Sequence, residues 1–204
     1  MGPTDLYNTI PYLETVVKET GYETLNSLWF LNRLVRNIAP NRVIELGTGY
    51  GCSTIFMASA LRQSEMVISV DDYRGDTSES IEKTQRNIDQ CHMTERVELI
   101  EGDSRQLIKI DEKAEMVFMD ASHNPNDLYA ELSALQLNLC HDYVLVIDDI
   151  FSVHLDEFTF NLLKNKMYPF ATIVNFHNGM AIFCTCPELY AVPISAAIKE
   201  ACNV

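Results

Sequence analysis

Positive charge is scarce in this chain: 15 Lys and Arg stand against 29 Asp and Glu among 204 residues, a formal net charge of −14. Phosphate backbones and anionic bilayers repel such a surface unless its basic residues are segregated. They are not, since Arg33 and Arg36 stand alone and Lys164 with Lys166 is a single pair. No nucleic-acid partner is expected. No apolar run approaches the roughly 18 residues of a membrane span, and Met1-Gly2-Pro3-Thr4-Asp5 lacks the basic start of a signal peptide. The six cysteines include one close pair, Cys184 and Cys186, whose single intervening residue makes a strained disulfide, and no second pair completes a zinc spacing. Reduced thiols in a cytoplasmic protein without a membrane partner are the expectation. Repeats, low-complexity segments and interdomain linkers are absent as well.

What remains is an ordinary globular composition, 47% hydrophobic and 22% charged, long enough for a single domain over 1–204. Leu25, Leu28, Leu31, Val35 and Ile38 set a helix over Thr24–Ile38, closed by Ala39-Pro40-Asn41. Short apolar strands then alternate with helices. The strands are Arg42–Leu46, Met66–Val70, Val97–Ile100, Met116–Met119 and Tyr143–Ile147. The helices are Ser53–Leu61, about Ser78–Gln90, a short one near Ser104–Ile108, and one carrying Leu128, Leu132, Leu135 and Leu139 on one face. This alternation implies an α/β fold, a mostly parallel sheet with helices on both faces. Its end differs: Ala171–Phe176 and Met180–Cys184 flank His177-Asn178-Gly179, a hairpin with an Asn-Gly turn. Residues 1–23 read as a lead-in, 24–186 as the core and 187–204 as a tail.

In open parallel sheets, ligands lie beyond the carboxyl ends of the strands, and the polar clusters fall there. The first strand runs into Glu45-Leu46-Gly47-Thr48-Gly49-Tyr50-Gly51, and the next helix opens near Cys52-Ser53-Thr54 with free N–H groups for an anionic group. The second strand ends in Asp71-Asp72, with Asp71 20 residues beyond Gly51, where an acid grips ribose hydroxyls. The third ends in Gly102-Asp103-Ser104, the fourth in Asp120-Ala121-Ser122-His123 and the fifth in Asp148-Asp149. A nicotinamide-type loop would want a third glycine where Cys52 stands, and the closing hairpin is foreign to it. A plain tight turn at 45–51 and solvated loop acids at 120, 148 and 149 are the bland alternatives. For His123, the bland reading is a cap on the helix beginning near Pro125.

The glycine loop, Asp71 and Gly102-Asp103-Ser104 resemble the cofactor motifs of class I S-adenosylmethionine-dependent methyltransferases over about Thr24–Cys184. That resemblance implies a Rossmann-like seven-stranded sheet. It places Glu45, Gly47, Thr48, Gly49, Tyr50, Gly51 and Ser53 around the methionine part, Asp71 and Asp72 at the ribose, and Gly102, Asp103 and Ser104 at the adenine. Asp120 would border the cofactor too. Asp120, His123, Asp148 and Asp149 are similar to the acids and base of metal-dependent O-methyltransferases of the catechol, macrolide-sugar and cephalosporin types. By that likeness Asp120, Asp148 and Asp149 hold Mg²⁺ or another divalent cation, His123, Asp120 and Asp149 are catalytic, and the acceptor is a small-molecule hydroxyl. The chain departs from the family at Cys140-His141-Asp142, where a glycine pair usually precedes the fifth strand. A metal-independent N-, C- or carboxyl-methyltransferase and a non-catalytic binding module are the alternatives. Trp29 and Phe30 read as core or homodimer-interface residues, and His154 and His177 as loop residues near the pocket mouth. A substrate lid is expected from residues 1–24, from Phe151–Pro169 or from a partner subunit.

Overall fold

The computed structural model describes residues 12, 14–18, 24–74, 80–106, 113–151, 155–176 and 178–202. His154, His177, Asp111, Glu112 and parts of both expected lid segments lie outside them. Seven strands form one sheet: β1 Arg42–Leu46, β2 Met66–Asp71, β3 Val97–Glu101, β4 Ala114–Met119, β5 Leu139–Ile147, β6 Phe170–Val174 and β7 Met180–Cys184. Their order is β3-β2-β1-β4-β5-β7-β6. β1 to β5 pair in parallel, whereas β7 runs antiparallel between β5 and β6. The expected sheet and its closing hairpin are both present. Residues 14–18 are helical, and further along the chain come α1 Leu25–Ile38, α2 Cys52–Ala60, α3 Ile81–Gln90, α4 Pro125–Leu135, α5 Leu155–Leu163 and α6 Pro187–Cys202. None of them is long and apolar enough to cross a membrane.

Alternation along each strand divides the core in two. Val43, Met116, Phe118, Val144 and Ile182 pack with Leu28, Leu31 and Val35 of α1, Ile55 and Phe56 of α2 and Ile194 of α6. Ile44, Leu46, Val117, Met119 and Leu145 face the other way, onto Leu128 and Leu135 of α4 and Phe158 and Leu162 of α5. Each such fully buried side chain contributes roughly 1.5–3 kcal/mol. Trp29 meets Phe56 edge-on at 5.2 Å, and Phe30 lies 5.2 Å from Phe176, so both pack into the core rather than a pocket.

Local chemistry explains the boundaries. Thr24 and Ser27 form a reciprocal capping box at the start of α1, and Ala39 ends that helix in a left-handed conformation just before Pro40. Ser80 caps α3, and Asn124 caps α4 with Pro125 in its first turn. Three expectations are corrected. Leu139 opens β5 rather than closing the preceding helix, because α4 stops at Leu135 and a 3-10 turn, Gln136–Asn138, intervenes. Consequently Cys140-His141-Asp142 is strand, and no glycine turn is needed there. The tail is helical over Pro187–Cys202, where α6 packs on α1 and buries Tyr190, Ile194 and Ala197. Residues 104–106 form a turn after β3, and 107–108 fall outside the described chain.

Candidate active site

The strand order reverses between β1 and β4, and a cleft of about 500 Å³ opens at the carboxyl ends there. One wall is the glycine loop. Gly47 adopts φ +93°, and a Cβ on it would lie 2.6–2.7 Å from the backbone of Asp120 and Ala121. The first glycine therefore lets the ends of β1 and β4 close on each other. Gly51, at φ +82°, turns the chain into α2. Gly47 N–H donates to Val70 O at 2.9 Å. Asp71 Oδ2 accepts from Thr48 N (2.7 Å) and Gly49 N (2.9 Å), and its Oδ1 accepts from Tyr73 N at 2.7 Å. Asp71 thus ties the loop to β2 while also lining the cleft.

Glu45 lies under this loop, fully buried and outside the cleft lining. The hydroxyls of Ser53, Thr54 and Ser69 all donate to its carboxyl. Burial pushes its pKa up to about 7, the Ser53, Ser69 and Thr54 bonds opposing and Asp71 adding to the rise. Glu45 shapes the loop from below. Gly51, Gly102 and Asp148 are also absent from the cleft wall, whereas Gly47, Thr48, Gly49, Tyr50, Ser53, Asp71, Asp72, Asp103, Ser104, Asp120, His123 and Asp149 line it.

The far wall carries Asp120, His123 and Asp149. Asp120 and Asp148 follow β4 and β5, held by Asp120 N–H to Leu46 O (2.8 Å) and Asp148 N–H to Met119 O (3.1 Å). His123 Nε2 and Asp149 Oδ2 are 2.7 Å apart, and ligand atoms of Asp120, His123 and Asp149 lie within 4.8 Å of one another. The Asp149 bond raises the His123 pKa against the effect of burial, and the charges of Asp149 and Asp148 add to the rise. Asp149 itself sits at φ +55°, a conformation costly for a non-glycine residue and concentrated at functional sites. Asp148 stands outside the cluster. It is buried, accepts from Asp149 N–H at 2.9 Å, and is pushed upward in pKa by that burial.

At the β3 end, Arg105 grips Asp103 through Nε and Nη2, both at 2.8 Å, and reaches Asp127 at 3.1 Å. The guanidinium holds the Asp103 carboxyl down at about 2. Arg105, Asp127 and Glu131 line the cleft without being marked by any sequence motif. Glu131 did leave a signal: it lies among Leu128, Leu132 and Leu135, so the helical period puts a carboxyl on the apolar face of α4.

The arrangement has what a nucleoside joined to an amino acid requires. A glycine loop lets the backbone come close to a ligand, the α2 N-terminus points N–H groups toward it, carboxylates follow β2, and a hydroxyl and acid follow β3. Two carboxylates with an imidazole also form a donor set acceptable to a divalent cation.

Comparison with known proteins agrees. The profile of a family described as a methyltransferase domain matches residues 44–150. No curated relative matches the chain significantly in sequence. Among solved structures, a methyltransferase from Geobacter sulfurreducens is 23% identical, with a TM-score of 0.70 over 87% of this chain and 88% of that one. A Staphylococcus aureus protein provisionally assigned as a caffeoyl-CoA O-methyltransferase is 20% identical, with a TM-score of 0.72 over 86% and 91%. An O-methyltransferase from Bacillus cereus, solved with S-adenosylhomocysteine, is 18% identical, with a TM-score of 0.68 over 87% and 90%. At these identities the structural likeness speaks for the fold, and the family match for the class. With the glycine loop, the acids after β2 and β3 and the 3-2-1-4-5-7-6 sheet, the chain belongs to the methyltransferase-domain family and is a class I S-adenosylmethionine-dependent methyltransferase.

Proposed function

We propose that the protein methylates a hydroxyl oxygen of a small molecule with the help of a divalent cation. The observation that carries this reading is the grouping of Asp120, His123 and Asp149 on the cleft, with His123 bonded to Asp149. S-adenosylmethionine supplies a methyl on a positively charged sulfur, open to in-line attack by oxygen. An alcohol or phenol attacks slowly until its proton is drawn off. His123 is placed to accept that proton, and Asp149 orients the imidazole and stabilises its charged form. Asp120 and Asp149 would hold the cation, whose Lewis acidity lowers the pKa of the acceptor hydroxyl. Asp148 positions Asp149 through its backbone N–H. The glycine loop, Asp71 and Ser53 orient the donor, and alignment at close range lowers the barrier by several kcal/mol. The likeness to O-methyltransferase structures supports the choice of oxygen.

The test is methyl transfer to a panel of alcohols and phenols with Mg²⁺ or Mn²⁺, against an EDTA control. His123→Ala should lower kcat by roughly 10²–10⁴-fold while leaving the affinity for S-adenosylhomocysteine unchanged. The wild-type rate should climb with pH as His123 loses its proton, because the base works only when neutral. Turnover indifferent to EDTA removes the cation and leaves the His123–Asp149 pair as a metal-independent base. Transfer confined to amine, carbon or carboxylate acceptors removes the hydroxyl assignment.

A further inference from the structure

The glycine loop is held from behind by α3, through two buried polar side chains that take no part in the chemistry just described. Thr84 and Asn87 share one face of that helix and are 0% and 8% exposed. Thr84 Oγ1 donates to Gly49 O at 2.6 Å, and Asn87 Nδ2 donates to Tyr50 O at 2.9 Å. Thr48 O accepts from Gly51 N–H at 2.8 Å. The carbonyls of Thr48, Gly49 and Tyr50 are therefore engaged within the loop or turned toward α3. The helix also stands close: a Cβ on Gly51 would lie 3.1 Å from Thr84 Cγ2.

Asn87 has a second partner. A backbone carbonyl can only accept, so the amide presents its nitrogen to Tyr50 and its oxygen elsewhere. That oxygen, Oδ1, accepts from the Tyr12 hydroxyl. Tyr12 belongs to the leading segment, which is helical over 14–18 and seats Val17 in the core and on the cleft wall. One amide thus joins three parts of the chain: the leading segment, α3 and the glycine loop. A trans peptide whose oxygen is fixed has its N–H fixed too, facing the opposite way. Gly49 and Tyr50 both line the cleft, and a loop set in advance binds its ligand without the cost of being ordered.

We propose that Asn87 is a positioning residue of the donor site, holding the Tyr50 carbonyl so that the glycine loop is preformed, and that Tyr12 fixes Asn87 in the orientation this requires. The proposal rests on the glycine loop holding S-adenosylmethionine. Neither Asn87 nor Tyr12 lines the cleft, so their effect reaches the donor through the backbone of the loop. Docking of the leading segment and grip on the donor are thereby coupled, each strengthening the other.

Titration calorimetry with S-adenosylhomocysteine tests this on the wild type, Asn87→Ala, Asn87→Asp, Tyr12→Phe and the double variant Tyr12→Phe with Asn87→Ala, with thermal unfolding alongside. Asn87→Ala should bind about tenfold more weakly, the worth of one good hydrogen bond. Asn87→Asp, at pH 8, keeps an acceptor for Tyr12 but cannot donate to Tyr50 O, and should bind as weakly as Asn87→Ala. Tyr12→Phe should weaken binding about threefold, and should weaken it no further once Asn87 is gone. A residue serving the fold alone would shift Tm and leave the affinity of the folded protein unchanged. If Asn87→Ala does not fold, Asn87→Asp and Tyr12→Phe decide. The proposal is overturned if Asn87→Asp binds like the wild type, if Tyr12→Phe changes only Tm, or if the two substitutions add in full. A wild type that binds no S-adenosylhomocysteine overturns the placement of the donor on the loop, and this proposal with it.

Discussion

Gly47 and Gly102 both stand in the motifs that mark the cofactor site, but the structure gives them different burdens. A methyl on Gly47 would strike the backbone of Asp120 and Ala121, at a φ that L residues rarely adopt. Gly47→Ala should therefore cost more than about 3 kcal/mol, or prevent folding, in urea denaturation. Nothing lies within 4 Å of a Cβ built on Gly102, so Gly102→Ala should fall within about 0.5 kcal/mol of the wild type. The sequence shows two glycines after strands. Only the approach of β4 to β1 separates the indispensable one from the replaceable one. Glu45 teaches the same lesson: its position pointed to the cofactor, but three hydroxyls enclose it beneath the loop.

At the level of elements, α6 and the β6–β7 connection complete the molecule. α6 contains Pro193, a poor helix former, and has exposed apolar residues, Leu189 and Val192, so its helical signal is blurred and the segment reads as a tail. Packing on α1 supplies the missing definition. Ile194→Ala should cost about 2–5 kcal/mol in equilibrium unfolding because it empties a fully buried site. Val192→Ala, at a residue 77% exposed, should change little. The Asn178-Gly179 turn is legible as a hairpin signal, yet it also docks on the site. Asn178 O and Gly179 O accept from Phe151 N and Ile150 N, directly after Asp149. A Cβ at Gly179 would fall 2.3 Å from the Phe151 ring. Gly179→Ala should thus lower turnover as well as stability, by moving the segment that carries Asp149.

For the whole molecule, the charge of −14 and the buried carboxyls act in the same direction. Glu45 and Glu131 are raised from ordinary values to about 7 in the folded chain. Between roughly pH 4.5 and 7 the native state therefore keeps protons that the unfolded chain has released, and stability falls as pH rises. The slope is about 1.4 kcal/mol per pH unit for a fully buried group such as Glu45. Asp103, held at about 2, acts in the opposite sense, but only below pH 4. Calorimetric Tm should decline from pH 5.5 to 7.5, less steeply in Glu45→Gln. Added salt should raise Tm at pH 7.5 by screening the net negative charge.

By itself the sequence determined the α/β class, the mostly parallel character of the sheet, the antiparallel ending, the glycine loop and the acids at the strand ends. These are local signals, written in hydrophobic period, turn residues and position along the chain. Tertiary structure decided which acids meet. Asp148 and Asp149 are adjacent in sequence, yet one is buried and the other, in a left-handed backbone, joins Asp120 and His123. It also decided that Glu45 supports the loop from below and that Glu131, from a helix read as core, borders the cleft beneath Ser104. Such outcomes depend on distances between segments remote in sequence, and on how burial changes the charge a carboxyl can carry.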